Sequence, residues 1–243
     1  MDLAFMGESF LRLLTGIPLT LKLAGTSIAI GAVLALGLAL MRRSGVAPLD
    51  WFARGYIFVF RGTPLLVQLF LIYYGLGQFR PFLQELGVWW FLREPYYCAV
   101  LALTLNTAAY GAEIIRGGLQ AVPHGQVEAA RACGMSGFLL FRRVVAPIAL
   151  RQALPAYGNE MVLMVRATAI ASIVTLMEVT GIAQKMIAES FRAIEIFICA
   201  GAIYLVLNFL LSRAIMALEW WLSPHLREPP HVGAAPSAPQ LVS

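Results

Sequence analysis

Hydrophobic residues come in long blocks along this chain, and polar residues gather between them. A membrane-crossing helix needs about 20 predominantly apolar residues at a rise of about 1.5 Å each. Five segments meet that length: residues 17–41, 56–79, 95–115, 155–178 and 194–218. The first is uncharged from Leu23 to Met41, and the fourth is unusual in carrying Asn159, Glu160 and Arg166. Pro64 falls inside the second block and, having no N–H, is expected to kink or restart that helix. The first block is too long, and too poor in basic residues on its N-terminal flank, for a cleaved signal peptide. The pattern predicts an all-α membrane protein with five transmembrane helices.

The polar stretch between the third and fourth blocks, residues 116–154, carries the most local information. It holds Glu128-Ala129-Ala130, then Gly134, then Phe138 to Phe141, Arg142-Arg143 and Pro147. Ala129, Ala130 and Ala132 on a short helix would let a partner surface approach closely. Gly134 fits a helix C-terminal turn, because glycine enters the left-handed conformation without a Cβ penalty. A helix-turn-helix placed between spans is expected to be a docking element, with Glu128, Arg142 and Arg143 supplying charge-assisted contacts. The alternative is a solvated amphipathic connector.

Composition and charge narrow the class and set the orientation. The chain has 243 residues, 60% hydrophobic and 13% charged, about half the charge of an ordinary soluble domain. Ten arginines follow odd-numbered spans: Arg42, Arg43, Arg54, Arg116, Arg131, Arg142, Arg143, Arg151, Arg213 and Arg227. Six basic residues lie on the other side: Arg12, Lys22, Arg80, Arg93, Lys185 and Arg192. The richer side is expected to be cytoplasmic, with the N-terminus outside and the C-terminus inside. Residues 1–16 then form an extracytoplasmic segment, and 223–243, rich in Pro and Ala, a disordered cytoplasmic tail. Trp220 and Trp221 suit one membrane interface. Trp89 and Trp90 suit the other, on a short helix between spans two and three.

Polar residues inside hydrocarbon must face protein or water. Asn106, Tyr110 and Glu113 share one face of span three. Thr168, Ser172 and Thr175 form a stripe on span four, and Arg166 shares a face with Asn159. These residues and Glu160 could line a path. The alternatives are structural: Ser and Thr bonding their own helix carbonyls, Asn bridging helices, and Glu113 and Glu160 salt-bridged to loop arginines. Arg61 fits a snorkelling or paired role at the cytoplasmic interface.

Other chemistry is poorly supported. A phosphate-binding loop needs lysine after glycine, and neither Lys22 nor Lys185 follows one. No nucleophile–base arrangement is recognisable. His124, His225 and His231 lack metal-ligand spacing. Cys98, Cys133 and Cys199 are far apart and read as small buried hydrophobes. No basic cluster with interleaved aromatics indicates nucleic acid.

The polar stretch resembles the signature cytoplasmic loop of bacterial ABC importer membrane subunits: Glu-Ala-Ala, three residues, Gly, nine residues, then Ile-x-Leu-Pro. Here Val144 and Ala146 replace the isoleucine and leucine. Phe60-Arg61-Gly62-Thr63-Pro64-Leu65, Tyr110 to Gly117, and Gly158-Asn159-Glu160 resemble the polar amino-acid branch. The likeness spans residues 17–222. It implies the type I importer permease fold in a bacterial inner membrane, with Glu128, Ala129, Ala130, Gly134, Arg142, Arg143 and Pro147 coupling to the ATPase. It also implies two ABC ATPase subunits, which bind the ATP and Mg. A second permease, the same chain or a paralogue, and a periplasmic amino-acid-binding protein complete the implied set. The motifs look most like permeases for histidine, arginine, lysine, ornithine and opines, with glutamine, glutamate and cystine as alternatives. A stand-alone channel or secondary carrier would explain the spans but not the polar helix-turn-helix.

Overall fold

The computed structural model describes residues 2–222, and the regular elements among them are all helical. Asp2 caps α1 (Leu3–Leu14), its Oδ1 accepting the N–H groups of Ala4 and Phe5 at 3.1 and 3.2 Å. The chain then enters α2 (Ile17–Arg43) and α3 (Ala47–Gly62), which precede a short α4 (Leu65–Phe70). Two small helices follow, α5 (Arg80–Glu85) and α6 (Trp89–Leu92). The long α7 (Pro95–Gln120) leads into α8 (His124–Ala132), α9 (Gly137–Leu140) and α10 (Ala146–Ala167). The described fold ends with α11 (Val179–Ser190) and α12 (Ala193–Leu222).

Three helical stretches are long and apolar enough to cross a membrane: 3–43, 95–120 and 193–222. Two bent pairs raise the total to five, 47–62 with 65–85 at 105° and 137–174 with 179–190 at 46°. At the centre, α7 packs along α2 on one side and α10 on the other. Small residues permit this closeness: a Cβ on Gly118 would lie 2.6 Å from the Ala149 carbonyl oxygen, and one on Gly111 3.0 Å from Ala35. Outside this core, α12 turns Phe197, Leu205 and Phe209 outward, an apolar face suited to lipid.

The helices do not coincide with the apolar and polar blocks of the sequence. The second block is not one continuous helix over 56–79: helix starts at Ala47, breaks at Thr63-Pro64, and resumes at Leu65. Pro64 causes this as expected, and Thr63 takes the extended backbone that precedes proline (φ −118°, ψ 145°). The helix that carries the fourth block does not begin at Pro155; α10 runs through that proline from Ala146 and gives way to a tighter 3₁₀ stretch at Thr168–Val174. The polar stretch 116–154 is largely helical, since α7 continues to Gln120, α8 fills 124–132 and helix resumes at Gly137. Arginines there read as loop, but a helix can run past the membrane surface. Residues 3–14 are helical and pack through Leu13 against Val179, Ile196 and Cys199. Trp89 and Trp90 do sit on a short helix. Cys98 and Cys199 are buried, but Cys133 is exposed at the end of α8. The expected tail, 223–243, lies outside the described residues.

Candidate functional site

The hairpin of α8 and α9 is built on a helix stop. Gly134 takes φ +80°. Its N–H donates to Arg131 O at 2.9 Å, and the Met135 N–H donates to Ala130 O at 3.1 Å. This pair of bonds closes the last carbonyls of α8. A Cβ at Gly134 would meet nothing within 4 Å, so the turn needs its backbone conformation rather than internal space. Ala130 is buried, while Glu128 and Ala129 are exposed. Phe138 is 75% exposed, and Arg142 and Arg143 are also solvent-facing. The hairpin thus offers apolar and charged groups outward. Its inner side is fixed: Leu119, Val122 and Ala149 form a cluster joined by Val127, Val145 and Ile148, which ties it to α7 and α10. A wide π-helical turn over Phe141–Val145, with Ala146 N–H donating to Phe141 O, precedes Pro147. That turn carries the donor-less proline without ending the helix.

The α3–α4 break disposes of its polar groups internally. Gln68 Nε2 donates to Phe60 O (2.9 Å), Thr63 O (3.1 Å) and Thr63 Oγ1 (2.9 Å). Asn106 Nδ2 donates to Gln68 Oε1 at 3.0 Å and to Phe60 O at 3.4 Å. Asn106 therefore bridges helices. Gln68 was not singled out from sequence; its signal was a lone amide four residues after Pro64 in an apolar run. Tyr110, one turn on from Asn106, lies beneath the Arg61 guanidinium at 5.2 Å.

Glu113, the third residue of that face, has two partners. Its carboxylate takes Arg42 and Arg116, each at 2.6 Å. Arg42 also pairs with Asp50 at 3.1 Å, and Asp50 with Arg54 at 2.8 Å. The network joins the end of α2, the start of α3 and the end of α7. Glu160 is buried and accepts from Thr107 Oγ1 at 3.1 Å; among the described residues it has no ion-pair partner within 4.0 Å.

The span-four stripe divides. Thr168 and Ser172 are buried and donate to the carbonyls of Val165 and Ala169, at 2.7 and 2.8 Å. These i−3 bonds follow from the 3₁₀ winding. Thr175 is exposed and ends that winding at φ +67°. Asn159 and Arg166 are both exposed on α10, seven residues apart. Sequence reading also passed over Glu178. It is fully buried, caps α11 by accepting the Gly181 N–H at 2.7 Å, and accepts the Tyr204 hydroxyl at 2.6 Å.

Comparison with known proteins places this architecture. Residues 22–223 match the family described as "Binding-protein-dependent transport system inner membrane component". The octopine transport system permease protein OccM of Rhizobium meliloti is 60% identical over 227 residues, covering 93% of this chain and 92% of that protein. The nopaline transport system permease protein NocM of Agrobacterium fabrum is 56% identical, covering 93% and 94%. The histidine/lysine/arginine/ornithine transport system permease protein HisM of Escherichia coli is 41% identical, covering 86% and 88%. Among solved structures, an amino acid ABC transporter with histidines superposes with a TM-score of 0.80 at 38% identity, covering 90% of this chain and 98% of that one. The inward-facing MetNI methionine ABC transporter gives 0.70 at 21% identity, covering 91% and 99%; it shares the fold. A stand-alone channel or secondary carrier is thereby set aside. The chain belongs to the binding-protein-dependent transport system inner membrane components and is the multi-pass permease subunit, of type I fold, of an ATP-driven amino-acid importer.

Proposed function

We propose that this permease gates a path for opines and basic amino acids and is driven through the α8–α9 hairpin. The observation that carries the reading is the two-sided hairpin: Glu128, Ala129 and Phe138 point outward, while Leu119, Val122 and Ala149 bind it to two spans. Two ATPase subunits on the cytoplasmic side, holding ATP and Mg, grip the outer face. Ala129 allows close approach, Gly134 and buried Ala130 fix the turn, and Glu128, Arg142 and Arg143 give charged contacts. Pro147 follows the wide turn that starts α10. Closure of the ATPases moves the hairpin, and with it α7 and α10. This chain has no lysine-bearing phosphate loop, so it hydrolyses no nucleotide itself. The N-terminus faces outside and the last span ends in the cytoplasm.

Those two helices carry the path. Asn159 and Arg166 are polar yet exposed in a single copy, and so is Arg61 beside Tyr110. In hydrocarbon that exposure is costly, so a second permease, identical or paralogous, faces them across a wet seam. A binding protein delivers substrate to the outer mouth. Asn106, Glu113, Thr168 and Ser172 are engaged in internal bonds and shape the seam from behind, as does buried Glu160. The outward charges are then cationic, Arg61 and Arg166, and suit substrate carboxylates. Opines carry an extra carboxylate beyond an amino acid's own. The identities of 60% and 56% to permeases named for octopine and nopaline support the same order of preference.

The test is uptake against ATP hydrolysis in proteoliposomes holding the whole complex. Gly134→Phe is expected to keep hydrolysis while uptake falls at least about tenfold, a loss of about 1.4 kcal/mol in coupling. Normal uptake would refute the docking role. For substrate, octopine is expected to outcompete arginine; equal competition would remove the opine preference.

A further inference from the structure

We propose that an arginine-lined cavity behind the hairpin binds the phosphate headgroup of an anionic phospholipid. The cavity is a half-open recess of about 630 Å³ between the ends of α2, α3 and α7 and the inner side of α8–α9. Arg42, Arg43, Arg54, Arg116, Arg131 and His124 line it. Asp50 and Glu113 are the carboxylates that answer these guanidinium groups. Among the described residues, Arg43 and Arg131 make no ion pair within 4.0 Å, and both are exposed. Two carboxylates against five arginines leave a site that calls for an anion.

The neighbouring surface identifies the anion as an amphiphile. Arg54 also borders an open cleft of about 510 Å³ formed with Trp51, Gly55 and Phe58. Trp51 is 78% and Phe58 80% exposed. A phosphate held by the arginines would leave its acyl chains along this aromatic wall of α3. Free phosphate would use the arginines and leave the wall bare. Basic pockets where spans meet the aqueous phase recognise acidic headgroups in this way. A headgroup between Arg43 on α2 and Arg131 on α8 would brace the hairpin against the bundle, making coupling sensitive to lipid composition. The assignment to the inner leaflet rests on the orientation proposed above; the binding itself does not.

The test is native mass spectrometry of the full chain in mild detergent. It is titrated with phosphatidylglycerol, with phosphatidylcholine of the same acyl chains, and with inorganic phosphate. Phosphatidylglycerol is expected to bind at least about tenfold more tightly than phosphatidylcholine. Each of Arg43→Gln and Arg131→Gln is expected to weaken phosphatidylglycerol about fivefold, with phosphatidylcholine unchanged. Trp51→Ala should weaken both lipids. The arginine variants touch no ion pair among the described residues, so they are expected to fold as the parent does. Equal binding of the two lipids, or a preference that survives both substitutions, overturns the proposal. Displacement by equimolar inorganic phosphate assigns the cavity to a small anion instead. No ATPase is needed for the titration, so its failure and that of the coupling reading are separately visible.

Discussion

The break at Pro64 and the turn at Gly134 each interrupt a helix, and they treat their polar groups in opposite ways. At Pro64 the freed carbonyls of Phe60 and Thr63 are taken by Gln68, which Asn106 in turn supports. The freed backbone carbonyls are used up inside the subunit. At Gly134 two backbone bonds close the helix end, and the surrounding side chains, Glu128, Phe138, Arg142 and Arg143, stay outward. The contrast follows from solvent. Within hydrocarbon an unpaired backbone group costs several kcal/mol, so a break there must be satisfied internally. Beyond the membrane, water satisfies the backbone and side chains are left for a partner. Substitutions at the first place should therefore lower stability, and those of the outward side chains at the second should lower coupling.

The largest stability effect is expected at a third interruption, between α10 and α11. Glu178→Ala leaves the Gly181 N–H unpaired in a buried site and takes from the Tyr204 hydroxyl its acceptor at 2.6 Å, leaving it Thr180 Oγ1 at 3.1 Å, and should cost about 3 kcal/mol; Glu178→Gln should recover most of it. Thermal unfolding in detergent measures both. Next is Gln68→Leu, expected to cost about 2 kcal/mol while binding of the ATPase by the folded fraction stays normal. Lost binding without lost stability would erase the contrast. Gly134→Ala should cost about 1 kcal/mol from the left-handed backbone, and Gly134→Asn, which tolerates that conformation, less. The smallest effect belongs to Arg142→Gln with Arg143→Gln: stability within about 0.5 kcal/mol of the parent, but weaker ATPase binding, read by titrating the ATPase against each complex.

Local signals were the ones legible from sequence. Pro64 announced its break and Gly134 its turn, because each acts on its own backbone. The amphipathic hairpin was readable for the same reason. Partnerships across the chain were not: Gln68 meets Asn106, and Glu178 meets Tyr204, only after the helices pack. Asn106, Tyr110 and Glu113 were correctly placed on one face, yet that face could not say that Glu113 would meet Arg42 from α2 and Arg116. The helix that carries the fourth block was not legible in full, because hydropathy marks where lipid begins, whereas helix runs through Pro155 from Ala146. The switch to 3₁₀ winding at Thr168 also changed which residues share a face, so the stripe read at helical spacing split into two back-bonded residues and one exposed one.

Phe138 gives the most direct test of the hairpin as the driven surface. Being 75% exposed, it can be changed to aspartate with little effect on the subunit alone. Titrating the purified ATPase against the Phe138→Asp permease should show affinity reduced at least about tenfold, the scale of losing one buried aromatic anchor. Undiminished affinity in a correctly folded Phe138→Asp protein would place the ATPase somewhere else and contradict the coupling role of α8–α9.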